Sequence, residues 1–222
     1  MTIIEASTQT ASLTLPAHVL RDLLTGALLA ASRDTTMPVL SAVHLAWEVA
    51  PERGDNLDGA LIATATDRYR MNEGRTQCAA PCAGEALVSR ADVDALAKTL
   101  PRAGRIASLD ADATMTLDGD ALVVTVGGNI RRLELIEGDY PKVGELWPDP
   151  DKASPVAAVS LNPALVADIA KIPLGRKGLT YWRWTFFTGE RGPKPVLAEP
   201  APGSEHDRIA WRALVMPACL SN

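Results

Sequence analysis

Apolar residues recur at helical spacing in three segments of the chain, and a short strand-like stretch precedes each of them. Pro16, Ser89 and Asn162 stand at the starts of these segments, and all three residue types favour the first positions of a helix. Ser89 also forms a capping-box pattern with Asp92. We therefore expect three strand–helix pairs, with strands at 12–15, 86–88 and 156–161 and helices that start near residues 16, 90 and 163.

The three predicted helices are evenly spaced. Their starts near residues 16, 90 and 163 are 74 and 73 residues apart, and three such periods fill the 222 residues once. The residues after each helix favour strands, which we expect at 39–49, 60–65, 115–117, 121–126, 131–136, 179–187, 195–198 and 209–216. The pattern predicts an α+β protein that uses one strand–helix–strands module, βαβββ, three times.

Polar and Gly/Pro-rich segments separate these elements. Residues 51–59, 78–84 and 199–207 are typical of exposed loops, and residues 148–155, with three prolines, are typical of a linker. We expect residues 1–147 to form one domain of two modules and residues 156–222 to form a half-domain of one module.

The composition is that of a folded globular protein, with 47% hydrophobic and 22% charged residues. A net charge of −5 argues against a nucleic-acid binder that depends on bulk positive charge, but it leaves open a local basic face. The apolar stretch 20–31 is too short for a membrane span, and the first residues lack a signal-peptide pattern. Three cysteines fit a reducing compartment, so we expect a cytoplasmic protein without membrane contact.

The common signatures of nucleotide-binding and hydrolytic enzymes are absent from the sequence. Cys78 and Cys82 are spaced as C-x-x-x-C, but no second Cys or His pair lies near them. His18, His44 and His206 are scattered. We expect no enzymatic activity, no cofactor and no bound metal.

Two other segments have ordinary structural explanations when each is taken alone. Residues 64–71 favour a strand that ends in an Asx-type turn with solvated arginines. Residues 214–217 favour a last core strand that is stopped by Pro217.

Taken together and in order, six short motifs resemble those of one family, the bacterial DNA sliding clamp, which is the beta subunit of the replicative polymerase. The motifs are residues 32–45, Ala-Thr-Asp-Arg-Tyr-Arg-Met at 65–71, Glu-Gly-Asp-Tyr-Pro-Lys-Val at 137–143, Leu-Asn-Pro-Ala-Leu-Val-Ala-Asp at 161–168, Lys-Pro-Val-Leu at 194–197 and Val-Met-Pro-Ala-Cys-Leu at 215–220. The resemblance implies a shortened clamp: a middle domain followed by the second half of the third domain. Such a compact clamp would suit a small-genome replicon such as a phage. Ala218 and Cys219 depart from the family, which usually has a larger side chain and an arginine there.

The resemblance implies sheets on the outside of a ring, helices that face double-stranded DNA, and an apolar groove for short peptides of the replicative DNA polymerase, the clamp loader and repair proteins. The groove residues that it implies are Leu40, Thr66, Tyr69, Arg70, Met71, Pro148, Leu214, Met216 and Pro217. The candidate DNA-facing cations are Arg21, Arg33, Lys98, Arg102, Arg105, Lys171, Arg176 and Lys177, each of which is explained equally well as part of a solvated helix face.

Two classes of function remain open from the sequence. The first is a clamp that assembles into a homo-oligomeric ring. If twelve modules are needed, as in the family's dimer, four chains of three would supply them. The second is a non-encircling clamp mimic that captures clamp-binding peptides and modulates host replication. The mass of the protein in solution separates the two.

Overall fold

The structure has most of the predicted strands and helices in the predicted order, and it adds a strand at Arg70–Cys78 that was not predicted. The structure, a computed structural model, describes residues 11–49, 59–102, 111–153, 158–174, 180–189, 192–206 and 208–218. The helices are α1 (Ala17–Leu28), α2 (Arg90–Thr99) and α3 (Pro163–Ile169). The strands are β1 (Ser12–Pro16), β2 (Ala42–Val49), β3 (Gly59–Thr66), β4 (Arg70–Cys78), β5 (Gly84–Ser89), β6 (Asp112–Asp118), β7 (Ala121–Val126), β8 (Asn129–Glu134), β9 (Trp182–Thr185), β10 (Thr188–Gly189), β11 (Gly192–Pro193), β12 (Val196–Pro200) and β13 (Ile209–Val215).

Local hydrogen bonds explain why two helices start where the sequence predicts. The Ser89 side chain accepts a hydrogen bond from the backbone N–H of Asp92 at 3.0 Å, and its hydroxyl donates to the Asp92 carboxylate. Asn162 Oδ1 accepts from the backbone N–H of Ala164 at 2.9 Å. These bonds satisfy N–H groups that the first turn of a helix leaves unpaired. The helix caps predicted at Ser89 and Asn162 are therefore confirmed.

The strands form three modules that share two large antiparallel sheets. Module one is β1, α1 and β2–β4; module two is β5, α2 and β6–β8; module three is α3 and β9–β13. One sheet has the order β1-β6-β7-β8, and the other has the order β5-β2-β3-β4-β13-β12-β9. Modules one and two therefore exchange their leading strands, and α1 packs against α2. Modules one and three are joined through β4 and β13.

Module three differs from the prediction at its start. The strand expected at 156–161 is absent from its described part, because residues 158–161 form no strand. In modules one and two the leading strand pairs with the sheet of the other module. No described element offers such a sheet to module three, so its leading segment lacks the partner that a strand requires.

The core lies between the sheets and the first two helices. Nine of the twelve residues of α1 are buried, whereas only Ile169 is buried among the seven residues of α3. The α1 helix is therefore covered on most sides, and α3 is left largely open. None of the described helices is long and apolar enough to cross a membrane.

Candidate functional site

The junction between β4 and β13 brings together two segments that lie far apart in the sequence. The strands pair antiparallel, with Met71 opposite Leu214 and Arg70 opposite Val215. Beyond the strand end, the backbone N–H of Met216 donates to the carbonyl oxygen of Tyr69 at 2.8 Å. Residues 64–71 and 214–217, which the sequence explains independently of each other, therefore form one continuous surface.

A tight turn presents Tyr69 at this surface. Asp67 Oδ1 accepts hydrogen bonds from the backbone N–H groups of Tyr69 and Arg70, both at 3.0 Å, as in the predicted Asx-type turn. The Thr66 hydroxyl donates to the carbonyl oxygen of Arg70 at 2.7 Å, and Arg68 adopts a positive φ of 77°. The turn leaves the Tyr69 side chain outside, and this residue is 62% exposed.

Arg70 links the turn to α3. Its Nε donates to Asp67 Oδ2 at 3.0 Å, and its guanidinium also forms an ion pair with Asp168. Asp168 accepts a further bond from Lys171 Nζ at 2.6 Å. Hydrogen bonds from Lys171 and then Arg70 lower the pKa of the Asp168 carboxyl group. The Arg70 side chain is only 10% exposed, so its charge serves mainly to hold β4 against α3.

A cleft of about 720 Å³ opens beside this ion pair. Its walls come from residues 31–40, from the turn at Tyr69 and Arg70, and from α3. Met37 on one wall is 40% exposed, while Leu40 and Leu165 are half-buried. The cleft thus combines apolar side chains with seven charged ones among its fifteen lining residues, so a ligand there would meet both kinds of group.

A second apolar cluster lies at the same junction of β4 and β13. Met71 and Leu214 are buried there with Val143, Phe187 and Leu197, and the rings of Tyr140 and Trp147 pack against them. The Arg212 guanidinium lies 3.9 Å from the centre of the Trp147 ring and is held by Glu73. Met71 and Leu214 are therefore buried within this cluster, and neither lines the cleft.

The remaining groove candidates have different exposures. Met216 is 43% exposed, Thr66 is buried, and Pro148 and Pro217 are half-buried. The structure also adds Met37, Leu165, Asp168 and Trp147, which the sequence argument did not single out. Met37, Leu165 and Asp168 lie within the motifs at 32–45 and 161–168, and these motifs are the sequence signal that could have indicated them.

Three of the five described candidate cations of the DNA face lie beside acids. Lys98 on α2 bonds Asp94 at 2.6 Å, Lys171 bonds Asp168, and the Arg21 guanidinium lies 3.5 Å from the Asp22 carboxylate on α1. Arg33 and Arg102 are exposed. The other three candidates, Arg105, Arg176 and Lys177, lie outside the described residues.

The helices themselves carry no excess of positive charge. Within Ala17–Leu28, Arg90–Thr99 and Pro163–Ile169 there are three cations and four carboxylates, a formal net charge of −1. The cations are Arg21, Arg90 and Lys98, and the carboxylates are Asp22, Asp92, Asp94 and Asp168. Any attraction of this helical layer for phosphate groups depends on individual side chains.

In the part of the chain that the structure describes, no three His, Cys, Asp or Glu side chains are grouped so that they could hold a metal ion. Cys78 is buried, and burial raises the pKa of its thiol to about 11, so the thiol stays protonated at neutral pH.

A larger cavity of about 940 Å³ lies over the outer face of the seven-stranded sheet, where the rings of His44 and Tyr140 stack with centroids 4.8 Å apart.

Comparisons with known proteins agree on one fold. No protein-family model matches the chain. The beta sliding clamp of Micrococcus luteus is 32% identical over 164 residues, which cover 72% of this chain and 47% of that protein. The chain thus spans about half the length of this curated relative.

Solved sliding clamps have the same architecture at low sequence identity. The clamp from Bacillus subtilis superposes with a TM-score of 0.70 at 15% identity and covers 96% of this chain and 66% of its own. The DNA polymerase III beta subunit from Thermotoga maritima gives 0.69 at 13% identity, covering 95% and 66%. A Pseudomonas aeruginosa clamp bound to griselimycin gives 0.70 at 14% identity, covering 99% and 68%. The chain is related to the bacterial sliding clamps, the beta subunits of DNA polymerase III, and it has their fold.

Proposed function

We propose that this chain acts as a sliding-clamp-like processivity factor, which binds short clamp-binding peptides of a DNA polymerase and its clamp loader and contacts duplex DNA through its helices. The observation that carries the proposal is the junction of β4 and β13. There the turn at Tyr69 and the strand end at Met216 are held together by a backbone hydrogen bond of 2.8 Å. The similarity to sliding clamps supports the same assignment.

The groove is suited to the apolar anchors of a short peptide. Met37 and Tyr69 line the cleft and are exposed, and exposed Met216 lies next to Tyr69. Met71 and Leu214 are buried at the same strand junction. Methionine side chains adapt to different apolar groups, so two of them at the rim allow Leu and Phe anchors to be accepted in turn. Arg70 is held by Asp67 and Asp168, so it shapes the groove without moving to meet the peptide.

A ring would keep the protein on DNA without strong contacts. Encirclement is a topological restraint, so a few bonds between cations and phosphates suffice. A helical layer with a formal net charge of −1 is compatible with that mode of binding. Four chains of three modules would supply the twelve modules of a closed ring, and the two-domain division at residues 148–155 remains part of this proposal.

One observation favours the alternative, a non-encircling mimic that captures clamp-binding peptides. A protein that must be held to DNA by attraction needs a basic face, and the helices do not provide one. The mimic needs only the groove. A monomer in light scattering, together with peptide binding, would favour it over the ring.

Both functions require peptide binding, which fluorescence polarisation tests by comparing two labelled peptides. A labelled peptide of the Q-x-L-x-L/F type should bind saturably, and the matched peptide with Ala at both anchor positions should bind much more weakly, because apolar anchors dominate such contacts. Absence of binding, or equal binding of the two peptides, would contradict the proposal.

A further inference from the structure

Modules one and two are stabilised by a reciprocal exchange. The leading strand of module one, β1, pairs with β6 of module two, and the leading strand of module two, β5, pairs with β2 of module one. Each leading strand thus covers the first edge of the other module's sheet. The two helices that follow these strands, α1 and α2, pack against one another.

Module three retains the geometry of a leading strand without the pairing. In every module the carbonyl oxygen of the residue three positions before the helix accepts a hydrogen bond from a residue just after the module's last strand. The three donor–acceptor pairs are Ala79 to Thr14 at 2.9 Å, Ile136 to Leu87 at 2.8 Å, and Ala218 to Ser160 at 2.8 Å. Residues 158–161 therefore lie where a leading strand belongs in module three.

Two complementary edges of module three have no partner among the described strands. Residues 158–161 join no sheet, and β9 ends the seven-stranded sheet, although its counterparts β2 and β6 each carry a leading strand on that side. Exposure alternates as in a half-buried strand, with Ala158 and Ser160 exposed and Val159 and Leu161 half-buried. On β9, Trp182 and Trp184 are also only half-buried against the core.

We propose that a second copy of this chain completes module three: two copies exchange residues 158–161 across a two-fold axis, and each segment pairs antiparallel with β9 of the other. A two-fold contact uses the same patch on both copies, so both free edges of both chains are satisfied at once. Unpaired edges otherwise leave backbone N–H and C=O groups that can pair with strands of other proteins. The inference rests on the sheet topology and is independent of the proposed peptide groove.

The intramolecular exchange supplies the register. Thr14, three positions before α1, lies opposite Thr114 on β6, and their hydroxyl oxygens are 3.2 Å apart. The corresponding residue of module three is Ser160, and the outward residue of β9 that matches Thr114 is Arg183. In this register Leu161 covers Trp182 of the second copy and Val159 covers Trp184, so the inward faces of both strands become buried together.

A cysteine pair tests the register directly. Ser160→Cys and Arg183→Cys are introduced in the full chain with Cys82→Ser and Cys219→Ser, while buried Cys78 is retained because its thiol is protonated. Both new positions are exposed, and the ion pair that Arg183 loses with Glu199 is a surface contact worth little. Residues directly opposite each other on antiparallel strands meet the distance that a disulfide needs.

Matched variants control for chance collisions. Ser160→Cys with Thr185→Cys moves the second cysteine two residues along β9 on the same face, and Thr14→Cys with Thr114→Cys verifies that the oxidation conditions close a bridge of this geometry within one chain. We expect Ser160→Cys/Arg183→Cys to form a covalent dimer at micromolar protein, and the shifted pair to remain largely monomeric on a non-reducing gel.

Light scattering of the unmodified protein gives the second readout. We expect a mass of two or four times the 23.6 kDa of one chain. A monomer or trimer, no crosslink, or equal crosslinking of the two registers would overturn the proposal. Peptide binding measured on the same preparations separates this outcome from a failure of the groove, because the groove lies within one chain.

Discussion

Trp211 of β13 lies directly over Gly26 of α1. A Cβ atom added at Gly26 would lie 2.2 Å from Cη2 of the indole, and one added at Gly74, opposite Trp211 on β4, would lie 2.7 Å from Cζ3. Because neither glycine has a side chain, the Trp211 indole packs directly against the backbone of α1 and β4 and joins module three to module one. This contact holds β13 against β4 and so places Met216 beside Tyr69.

Gly26→Ala tests this contact, because it should lower the free energy of unfolding when the Trp211 indole is present and not when it is absent. Alanine favours a helix over glycine by about 1 kcal/mol, but the clash with Trp211 should outweigh this gain and lower the free energy of unfolding by about 1–3 kcal/mol. In a Trp211→Phe background, where the outer ring is gone, the same change should be neutral or stabilising. Urea denaturation of the four proteins decides it. Equal losses in both backgrounds would show that Trp211 is not the obstacle.

Asp168→Asn tests the link between Arg70 and α3. Removing the carboxylate leaves Arg70 with one ion-pair partner fewer, and we expect a loss of about 1–3 kcal/mol at neutral pH. Because the pKa of Asp168 is lowered from 3.8, its contribution is present above pH 3.8 and is lost as the pH falls through the lower folded value. The wild type should therefore lose stability below pH 3.8 more steeply than Asp168→Asn.

Asp94→Asn is the matched control for this experiment, because Asp94 forms its ion pair with exposed Lys98 on the surface of α2. Its effect on the free energy of unfolding should stay within about 0.5 kcal/mol. Parallel pH profiles for wild type and Asp168→Asn would show that the Arg70–Asp168 pair contributes nothing to stability.

Lys98→Ala tests the proposed DNA face. Lys98 is exposed on α2, and its removal should weaken binding to duplex DNA and reduce the dependence of that binding on salt by about one phosphate contact. Lys142→Ala is the control, because Lys142 lines the cavity on the outer face of the seven-stranded sheet. Filter binding across a salt series measures both. Equal losses for the two variants would place DNA elsewhere than on the helices.

Features that depend on neighbouring residues could be predicted from the sequence, whereas contacts between distant segments could not. The caps at Ser89 and Asn162 depend on residues two or three positions away, so a pattern of neighbours suffices to indicate them. The pairing of β4 with β13 brings together residues 145 positions apart, such as Arg70 and Val215, and only the resemblance to a family suggested that these segments meet.

The leading segment of module three is the reverse case, because the sequence predicts a strand there and residues 158–161 form none. Its residues have the alternation of a strand, so the sequence indicates one, but a strand also needs a neighbour with free hydrogen-bonding groups. Within the described part of the chain, the backbone of residues 158–161 accepts a hydrogen bond from Ala218 at Ser160 and has no strand beside it. Whether a partner exists is a property of the whole assembly, and local sequence cannot report it.

Peptide affinity after removal of one rim side chain tests the central claim most directly. Met216→Ala deletes an exposed methionine at the junction of β4 and β13, whereas Ile130→Ala deletes a similar apolar side chain on β8 that is 68% exposed and far from the cleft. The dissociation constant of a labelled Q-x-L-x-L/F peptide is then measured by fluorescence polarisation. We expect Met216→Ala to weaken binding by about 1–3 kcal/mol and Ile130→Ala to leave it unchanged. Equal affinity of Met216→Ala and wild type would contradict the assignment of the groove.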